Sequence, residues 1–443
     1  MIKSRTQFQS LLAPAICSLA VVLLLGTAEA GVAQEQSSPT FTEDVAPILY
    51  ESCVGCHQPN GIGPMPLLSY GDVRPYASRI QRKVASREMP PWHLDRTIGI
   101  QDYKNDISLS DSEIETIVSW VDAGAPEGDP TMLPMLPELA DGSQWQLEAL
   151  LGPPDFVIEA PPLTVEANGQ DQWWVQTTPF EGLIDEQRYV RATELKGTYP
   201  LGVRVLHHGH VTLGRKPLGR QGIGKGGDLF PENVGMLIEP TGELRWNLHY
   251  FPIDEEVPDE RATSAVWLYP KGYEPEYITN GEQRFTADAG GGMPWAGDIV
   301  IPPHSIKAQQ GTHVLNRPAL LTSFRPHMHM RGREQSVEAI FPDGRREMLG
   351  KVDNYNHFWQ ISYEYEDDVA PLLPKGTVLL VTTIWDNTAD NPVNPDPRQW
   401  VVFGQRGVDE MSHVWLGMTY LSDEQFATLS AERTQMTAEQ EDR

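Results

Sequence analysis

The sequence predicts a multidomain protein in which an N-terminal all-α domain is followed by two tandem all-β, jelly-roll-like sandwiches. Helical periodicity is confined to residues 31–128, whereas short strand-like segments divided by Gly, Pro, Asn and Asp turns fill the chain from Asp155 onwards. A chain of 443 residues is long enough for two or three domains of roughly 100–200 residues each.

The first residues have the pattern of an exported protein. Lys3 and Arg5 precede an apolar run over residues 11–25, and residues 28–30 form an A-x-A cleavage signal. We therefore expect a signal peptide over residues 1–30 and a periplasmic or secreted mature protein. The apolar run is shorter than the roughly 20 residues of a membrane span, and no later segment approaches that length, so no span is expected after signal removal.

The charge of the chain narrows its possible partners. It has 61 acidic residues against 34 basic ones, which gives a formal net charge of -27. A surface this acidic argues against nucleic acid and anionic membranes as partners and suits an exported protein.

The cysteines indicate a covalently attached haem. Cys17 lies in the predicted signal peptide, so Cys53 and Cys56 are the only cysteines expected in the mature chain. With His57 they form a C-x-x-C-H motif, in which two thiols bond to the porphyrin vinyl groups and the imidazole binds iron. A thioredoxin-like redox pair would need a βαβ context, and a zinc site would need two further ligands. The motif therefore predicts one haem c.

The surroundings of this motif resemble a class I cytochrome c. Ser110 and Glu113 form a capping box at the start of an amphipathic helix, and Gly124 and Pro126 end it. We therefore expect an all-α cytochrome c domain over residues 31–128.

The resemblance to cytochrome c implies a methionine in a Pro-containing loop as the sixth iron ligand. Met89 precedes Pro90 and Pro91 and is the predicted ligand. A thioether at this position raises the reduction potential, which suits an electron carrier. Met65 and His93 remain alternatives. With both axial positions filled, the haem would relay electrons and would not bind oxygen.

The rest of the chain divides into a linker, two β-rich regions and a tail. Residues 129–154 are rich in Pro, Leu, Asp and Glu without a sustained period, as expected of a linker. The many short strands that follow indicate two sandwiches, over residues 155–302 and 303–425. A polar tail over residues 426–443 ends the chain.

Histidines are clustered in the β-rich regions. They occur in three strand-like segments, "VRVLHHGHV", "RWNLHYF" and "RPHMHMRG". Neutral imidazole suits copper and zinc, and no mature cysteine lies nearby in the sequence to supply a thiolate. The clustered residues are His207, His208, His210, His249, His327 and His329.

Together with "VDEMSHVWLGMTY", these segments resemble the copper type II, ascorbate-dependent monooxygenases, the peptidylglycine and dopamine hydroxylase family. The resemblance covers the chain from about Asp155 to Leu421 and implies two sandwiches that each hold one copper ion. It implies an all-histidine copper that handles electrons and a methionine-ligated copper that binds O2. A soft thioether stabilises Cu(I), the state that captures O2, while three imidazoles accommodate either oxidation state. The implied ligands are His207, His208 and His249 for the first ion, and His327, His329 and Met411 for the second.

Strand geometry strains one of these ligand assignments. Adjacent residues in a regular strand point to opposite faces, so His207 and His208 can share a metal only if the strand bends or bulges there. Spacing alone would pair His208 with His210, and His210 remains the alternative ligand.

The residues implied for substrate binding match the family only in part. Peptide-hydroxylating members hold a substrate carboxylate with an Arg before the His-x-His motif and a Tyr after the Met. This chain has Arg325 but Trp415, which does not favour a C-terminal glycine and leaves small organic acids or aromatics. His413, two residues after Met411, is a further candidate for a substrate contact.

The expected function is hydroxylation of a C–H bond of a small organic substrate with O2, with haem passing electrons from an exported donor to copper. The alternative is a copper-binding or electron-transfer protein without hydroxylase activity. A metal-dependent hydrolase is not favoured, because no persuasive general acid or base stands beside the clusters. The animal members rely on many disulfides and a separate reductant, whereas this chain has no spare cysteine pair and carries its own haem motif.

Overall fold

Strands with alternating buried and exposed side chains build most of the computed structural model, which describes residues 38–59, 61–139, 142–222, 226–287 and 299–441. The predicted signal peptide over residues 1–30 lies outside these ranges. The helices are α1 (Ala46–Ser52), α2 (Tyr70–Val73), α3 (Ala77–Ala85), α4 (Asp111–Asp122), α5 (Glu148–Leu151), α6 (Gly202–Val205) and α7 (Asp423–Glu441), with single turns at Phe41–Val45, Arg74–Tyr76 and Pro130–Met132.

The strands begin at Phe156. They are β1 (Phe156–Glu159), β2 (Leu163–Val165), β3 (Gln172–Phe180), β4 (Arg188–Lys196), β5 (Leu206–Leu213), β6 (Lys216–Gly222), β7 (Asp228–Leu229), β8 (Val234–Ile238), β9 (Gly242–Tyr250), β10 (Val257–Glu260), β11 (Thr263–Leu268), β12 (Tyr277–Thr286), β13 (Val300–Ile301), β14 (Ile306–Val314), β15 (Ala319–His327), β16 (Gly332–Ile340), β17 (Arg346–Val352), β18 (Tyr363–Glu364), β19 (Leu372–Leu373), β20 (Val378–Asp386), β21 (Val401–Val402) and β22 (His413–Tyr420).

The first sandwich packs two sheets around one apolar core. One sheet has the strand order β3-β9-β5-β6, and the other contains β1, β11, β4 and β8. Alternate side chains of both sheets point into the space between them, where burial of apolar surface stabilises the pair. The fully buried side chains of this core include Phe180, Trp246 and Tyr250.

The second sandwich has the same construction. Its outer sheet has the order β14-β20-β16-β17, and its inner sheet contains β12, β22, β15 and β18. In β20, Leu379, Val381 and Trp385 lie on the buried face, as the two-residue period of a strand requires.

Strand β12 belongs to both sandwiches. Tyr277 and Ile278 pair in parallel with β8, and the residues from Thr279 onwards pair antiparallel with β22. One ten-stranded sheet therefore runs through both sandwiches.

The prediction of an N-terminal all-α domain is wrong. Helices α1 to α4 have only 7, 4, 9 and 12 residues, and the described chain is mostly β sheet. These helices share a small core around Trp120, but the chain between α3 and α4 leaves that core and enters the second sandwich. Pro39–Arg443 forms one compact unit. The β-rich part of the predicted fold agrees with the structure.

Aromatic packing joins the helical segment to the second sandwich. The Trp92 ring packs edge-on against Tyr363, with ring centroids 4.7 Å apart, and Tyr103 stacks on Tyr365 at 5.2 Å. All four side chains are buried in the core of the second sandwich. No sequence pattern predicts this packing, because residues 90–109 have no strand or helix period of their own.

The predicted polar tail forms most of helix α7, which follows β22 and extends to Glu441. None of the helices in the described ranges combines the length and the apolarity that a bilayer crossing needs.

We expect Trp92→Ala to lower the free energy of unfolding of the whole chain by about 3–5 kcal/mol, because it removes a buried indole that joins the helical segment to the second sandwich. Chemical denaturation followed by circular dichroism and by fluorescence should show one shifted transition. Tyr76→Ala removes an aromatic side chain that is 38% exposed, and should change stability by no more than about 0.5 kcal/mol. If Trp92→Ala left the unfolding transition of the β sandwiches unchanged, the proposed coupling between the helical segment and the second sandwich would be contradicted.

Candidate metal centre

A bulge in β5 puts two neighbouring histidines on one side of their sheet. Opposite β9, Leu206 pairs with Tyr250 and His208 pairs with His249, so His207 is an extra residue without a partner of its own. Such an extra residue bends the strand and re-aims its side chain. The bulge supplies the bend that shared ligation by His207 and His208 requires.

The distances among these histidines fit a single metal ion. One ring nitrogen from each of His207, His208 and His249 lies within 4.8 Å of the other two. His249 Nδ1 is 3.4 Å from His207 Nδ1 and 3.0 Å from His208 Nε2. Three nitrogens bound at about 2.0–2.1 Å to one tetrahedral or trigonal ion are about 3.3–3.6 Å apart. The three rings can therefore ligate one copper or zinc ion.

Hydrogen bonds hold the outward nitrogens of two of these rings. His249 Nε2 donates to Asp171 Oδ2 over 2.9 Å, and His207 Nε2 donates to the Phe358 carbonyl over 3.2 Å. Bonds of this kind fix the orientation and tautomer of metal-binding imidazoles. Burial lowers the pKa of His207 to about 4 and the pKa of His208 well below its usual value, so both rings are neutral at pH 7. Their inward lone pairs are available to a metal.

His210, the alternative ligand, lies outside this group. It pairs with Asn247, and its ring centroid is 6.5 Å from that of Trp415. In the part of the chain that the structure describes, the three-histidine group is the one set of His, Cys, Asp and Glu side chains placed to share an ion. The bulge thus brings His207 into the group and leaves His210 beside Trp415.

The His-x-His motif at the end of β15 is held by buried side chains. Its two rings are nearly perpendicular, with centroids 5.3 Å apart. Each backbone N–H from residue 327 to residue 329 donates to a side chain, so the motif cannot shift without losing several hydrogen bonds. The acceptors are Gln335 Oε1 for His327, the Tyr355 hydroxyl for Met328 and Glu410 Oε2 for His329, at 3.0, 3.1 and 3.0 Å.

The motif also requires a glycine at residue 332. A Cβ there would lie 2.5 Å from the Cβ of Met328, 2.9 Å from the Tyr355 ring and 3.1 Å from the His329 carbonyl. None of these groups is the flexible end of a side chain, so Gly332 lets the loop fold back on itself.

Glu410 joins the His-x-His loop to Met411. It is fully buried, and its carboxylate accepts hydrogen bonds from the N–H groups of His329, Arg331 and Met411 over 3.0, 2.6 and 3.3 Å. Burial raises the pKa of Glu410 to about 7, and the three hydrogen bonds oppose that rise. The indole N–H of Trp385 donates to the Met411 carbonyl over 3.2 Å. Met411, itself buried, is therefore fixed beside the loop.

His327 has a ring nitrogen without a partner. Its Nδ1 is buried and makes no hydrogen bond, although buried polar atoms are nearly always paired. Its neighbours are other imidazoles, with ring centroids 5.8 Å away in His413 and 6.3 Å away in His208 of the first sandwich. His329 Nδ1 donates to the Asp409 carbonyl over 3.2 Å, and the backbone of Arg406 also hydrogen-bonds the His329 ring. These surroundings suit metal ligands, and the two predicted copper groups adjoin one another.

The predicted substrate residue Arg325 is already paired. Its Nε and Nη2 donate to Glu282 over 3.1 and 2.5 Å, and its guanidinium lies 5.2 Å from the centroid of the Trp415 ring. His413, also predicted to contact substrate, is buried, and burial lowers its pKa to about 3. Arg325 thus contacts Glu282 and Trp415, while the His413 ring stacks on the His327 ring.

The predicted haem motif follows α1, and its two thiols are not joined in a disulfide. His57 Nδ1 donates to the Met65 carbonyl over 3.0 Å, which leaves Nε2 for an iron ion. Met89 and His93 both line a cavity of about 320 Å³ where the helical segment meets the second sandwich.

Sequence reasoning missed several side chains that support the site. Asp171 is 78 residues from His249, and Glu282 is 43 residues from Arg325. No local pattern marks them, because an isolated acidic residue in a strand or loop is ordinarily solvated. Glu410 was visible only as part of the "DEM" run that identified Met411.

No protein-family model matches the sequence, and a comparison with curated proteins gives no match. Solved structures with partial likeness are remote. A Paenibacillus xanthan lyase has a TM-score of 0.17 at 11% identity, covering 64% of this chain and 28% of the lyase. A two-domain protein of unknown function from Bacteroides fragilis has a TM-score of 0.15 at 10% identity, and the match covers 56% of this chain and 85% of that protein. Procruciferin from Brassica napus has a TM-score of 0.14 at 11% identity, and the match covers 62% of this chain and 87% of procruciferin. Likeness at this level carries no argument about function.

We expect His249→Ala to abolish metal binding by the three-histidine group, because two imidazoles hold copper or zinc much more weakly than three. His210→Ala should leave metal content unchanged, since His210 lies outside the group. Metal analysis after dialysis measures both variants, with circular dichroism as the check on folding. Equal losses in the two variants would refute this ligand set.

We expect Gly332→Ala to displace the His-x-His loop and to destabilise the chain by about 1–3 kcal/mol, because the added methyl group clashes with Met328 and Tyr355. Metal binding by the three-histidine group should survive. Gly71→Ala is a matched control, since its Cβ would meet only Ser69 Oγ at 3.7 Å. Thermal unfolding and metal titration make the comparison, and an unperturbed Gly332→Ala protein would count against the tight loop.

Proposed function

We propose that this protein is an exported, haem c-containing dicopper monooxygenase that hydroxylates a C–H bond of a small organic substrate. The observation that carries the proposal is the three-histidine group built on the β5 bulge, next to a His-x-His loop that Glu410 ties to Met411. The resemblance of these motifs to the copper type II monooxygenases supports the same conclusion.

The proposed ligands fit two copper ions. His207, His208 and His249 would hold one ion through nitrogens already spaced for shared ligation, and His327, His329 and Met411 would hold the other. The unpartnered Nδ1 of His327 and the soft thioether of Met411 suit copper in its reduced state. Bound copper would supply one-electron redox chemistry and O2 activation, so that substrate, O2, two electrons and two protons give hydroxylated product and water.

The chain's own residues prepare the site. Asp171 and the Phe358 carbonyl orient the first group, while Gln335, Tyr355 and Glu410 fix the backbone of the second. Preorganisation of this kind avoids reorganising the ligands when substrate binds.

We further propose that the C-x-x-C-H segment attaches one haem c. Cys53 and Cys56 would form the thioethers, and His57 would bind the iron through Nε2, since its Nδ1 is bonded to the Met65 carbonyl. Met89 would be the sixth ligand, with Met65 and His93 as the alternatives. The bound haem would supply one-electron transfer from an exported donor. Covalent haem attachment and the signal-like sequence over residues 1–30 both support a periplasmic or secreted location.

Oxygen consumption separates this proposal from a non-catalytic copper protein. We expect two copper ions and one iron ion per chain, and O2 uptake with a reductant that falls about 100-fold or more in Met411→Ala, because ligand loss weakens the O2-binding copper. Met135→Ala removes a methionine that is 93% exposed and should have no effect. Equal O2 uptake by the wild type and Met411→Ala would favour the electron-transfer alternative.

A further inference from the structure

Exposed aromatic rings surround the three-histidine group. Trp173, Phe251 and Phe358, here called the aromatic rim, are 41%, 50% and 41% exposed. The Trp173 ring lies 5.0 Å from the His249 ring and 5.4 Å from the His208 ring, and the Phe251 ring lies 5.9 Å from the His207 ring. Phe358 accepts a hydrogen bond from His207 through its backbone carbonyl, and its ring packs on His357 with ring centroids 3.9 Å apart. The Trp173 and Phe251 rings therefore border the metal-binding side chains directly, and Phe358 adjoins them through its backbone.

The size of the aromatic rim fits a small molecule. Exposed aromatic rings that cluster together mark a binding surface more often than a chance arrangement. A stable protein partner covers about 800 Å² on each side, far more than three half-exposed rings provide. A planar aromatic ligand gains both apolar burial and offset or edge-on ring contacts from such a surface.

The charges near the aromatic rim disfavour a carboxylate on that ligand. Arg325 lies two residues before His327, but Glu282 and the Trp415 face already occupy its guanidinium. Glu282 and Asp228 together balance the charges of Arg325 and Arg220.

Asp171 places a negative charge at the rim itself. Its side chain is 51% exposed and bonded to His249. Since the whole chain carries a net charge of -27, an anionic ligand would meet electrostatic repulsion at this carboxylate.

We propose that the aromatic rim binds the substrate, and that the substrate is an uncharged, planar aromatic compound without a carboxylate. The role as substrate rests on the proposed monooxygenase function, whereas the binding preference rests on the rim and on the paired Arg325. The ligand stacks on Trp173, whose ring lies 5.4 Å from that of His208, and the His208 ring is in turn 6.3 Å from that of His327 in the second histidine group.

Three matched probes test ring and charge separately. Phenylacetamide is aromatic and neutral, phenylacetate is aromatic and anionic, and cyclohexylacetamide is neutral without an aromatic ring. Ligand-observed NMR titration of oxygen-free, dithionite-reduced full-length protein should show the tightest binding for phenylacetamide, with the other two weaker by about tenfold. Equal affinity for phenylacetamide and phenylacetate, or binding of none of the three, would overturn the inference.

Variants identify the surface. Trp173→Ala and Phe358→Ala lie in different sandwiches and should each weaken phenylacetamide binding by about tenfold, while Tyr76→Ala should not. Circular dichroism establishes that each variant is folded. Unchanged affinity in both rim variants would exclude the aromatic rim as the binding surface.

Releasing Arg325 should reverse the charge preference. Glu282→Gln removes the carboxylate that pairs with Arg325 and should raise the affinity for phenylacetate about tenfold. Asp228→Asn removes one of the two carboxylates that pair with Arg220 and leaves the Arg325 pair intact, so it should not raise that affinity. No gain in Glu282→Gln would refute the role assigned to this pair.

The outcomes also separate this inference from the proposed function. If the protein lacks copper but binds phenylacetamide through Trp173, the binding surface is supported and the monooxygenase proposal is refuted. If the protein holds two copper ions and consumes O2 but binds none of the three probes, the proposed function is supported and this substrate class is refuted.

Discussion

The second predicted metal group depends on one buried carboxylate. Burying a charged group is costly unless hydrogen bonds compensate it, and three backbone N–H groups converge on Glu410. These N–H groups belong to the His-x-His loop and to Met411. The hydrogen bonds that compensate the buried carboxylate therefore also hold the proposed ligand residues in place. Removing any one of these bonds would leave a buried polar group unpaired, at a cost of about 1–3 kcal/mol.

The spacing between the two histidine groups is set by the sheet that the sandwiches share. Strand β12 pairs with β8 of the first sandwich and with β22 of the second, and β22 begins at His413 opposite His327. In this sheet the two sandwiches are joined by two parallel residue pairs between β12 and β8, Tyr277 with Val234 and Ile278 with Gly235. The His208 and His327 rings lie 6.3 Å apart where the sandwiches meet, and the aromatic rim includes residues of both sandwiches.

The helical segment shows where local patterns are sufficient and where they fail. The capping box of Ser110 and Glu113 is present in the structure, since such a motif involves only neighbouring residues. The all-α domain expected around it is absent because Trp92 and Tyr103 bury their rings in the second sandwich. That contact joins residues about 270 positions apart in sequence, as Trp92 and Tyr363 illustrate, and no helical period encodes it.

The sequence by itself determined the β-rich character of the chain, the C-x-x-C-H motif, and the three histidine-bearing segments with their "DEM" companion. These features are visible because side-chain chemistry and the two-residue period of a strand are local properties. Only the tertiary structure decided that His207 joins His208 and His249, that Glu410 clamps the His-x-His loop, and that Glu282 occupies Arg325. Each of these depends on strand register, which is fixed by pairing between distant residues and shifts every contact when it changes by one position.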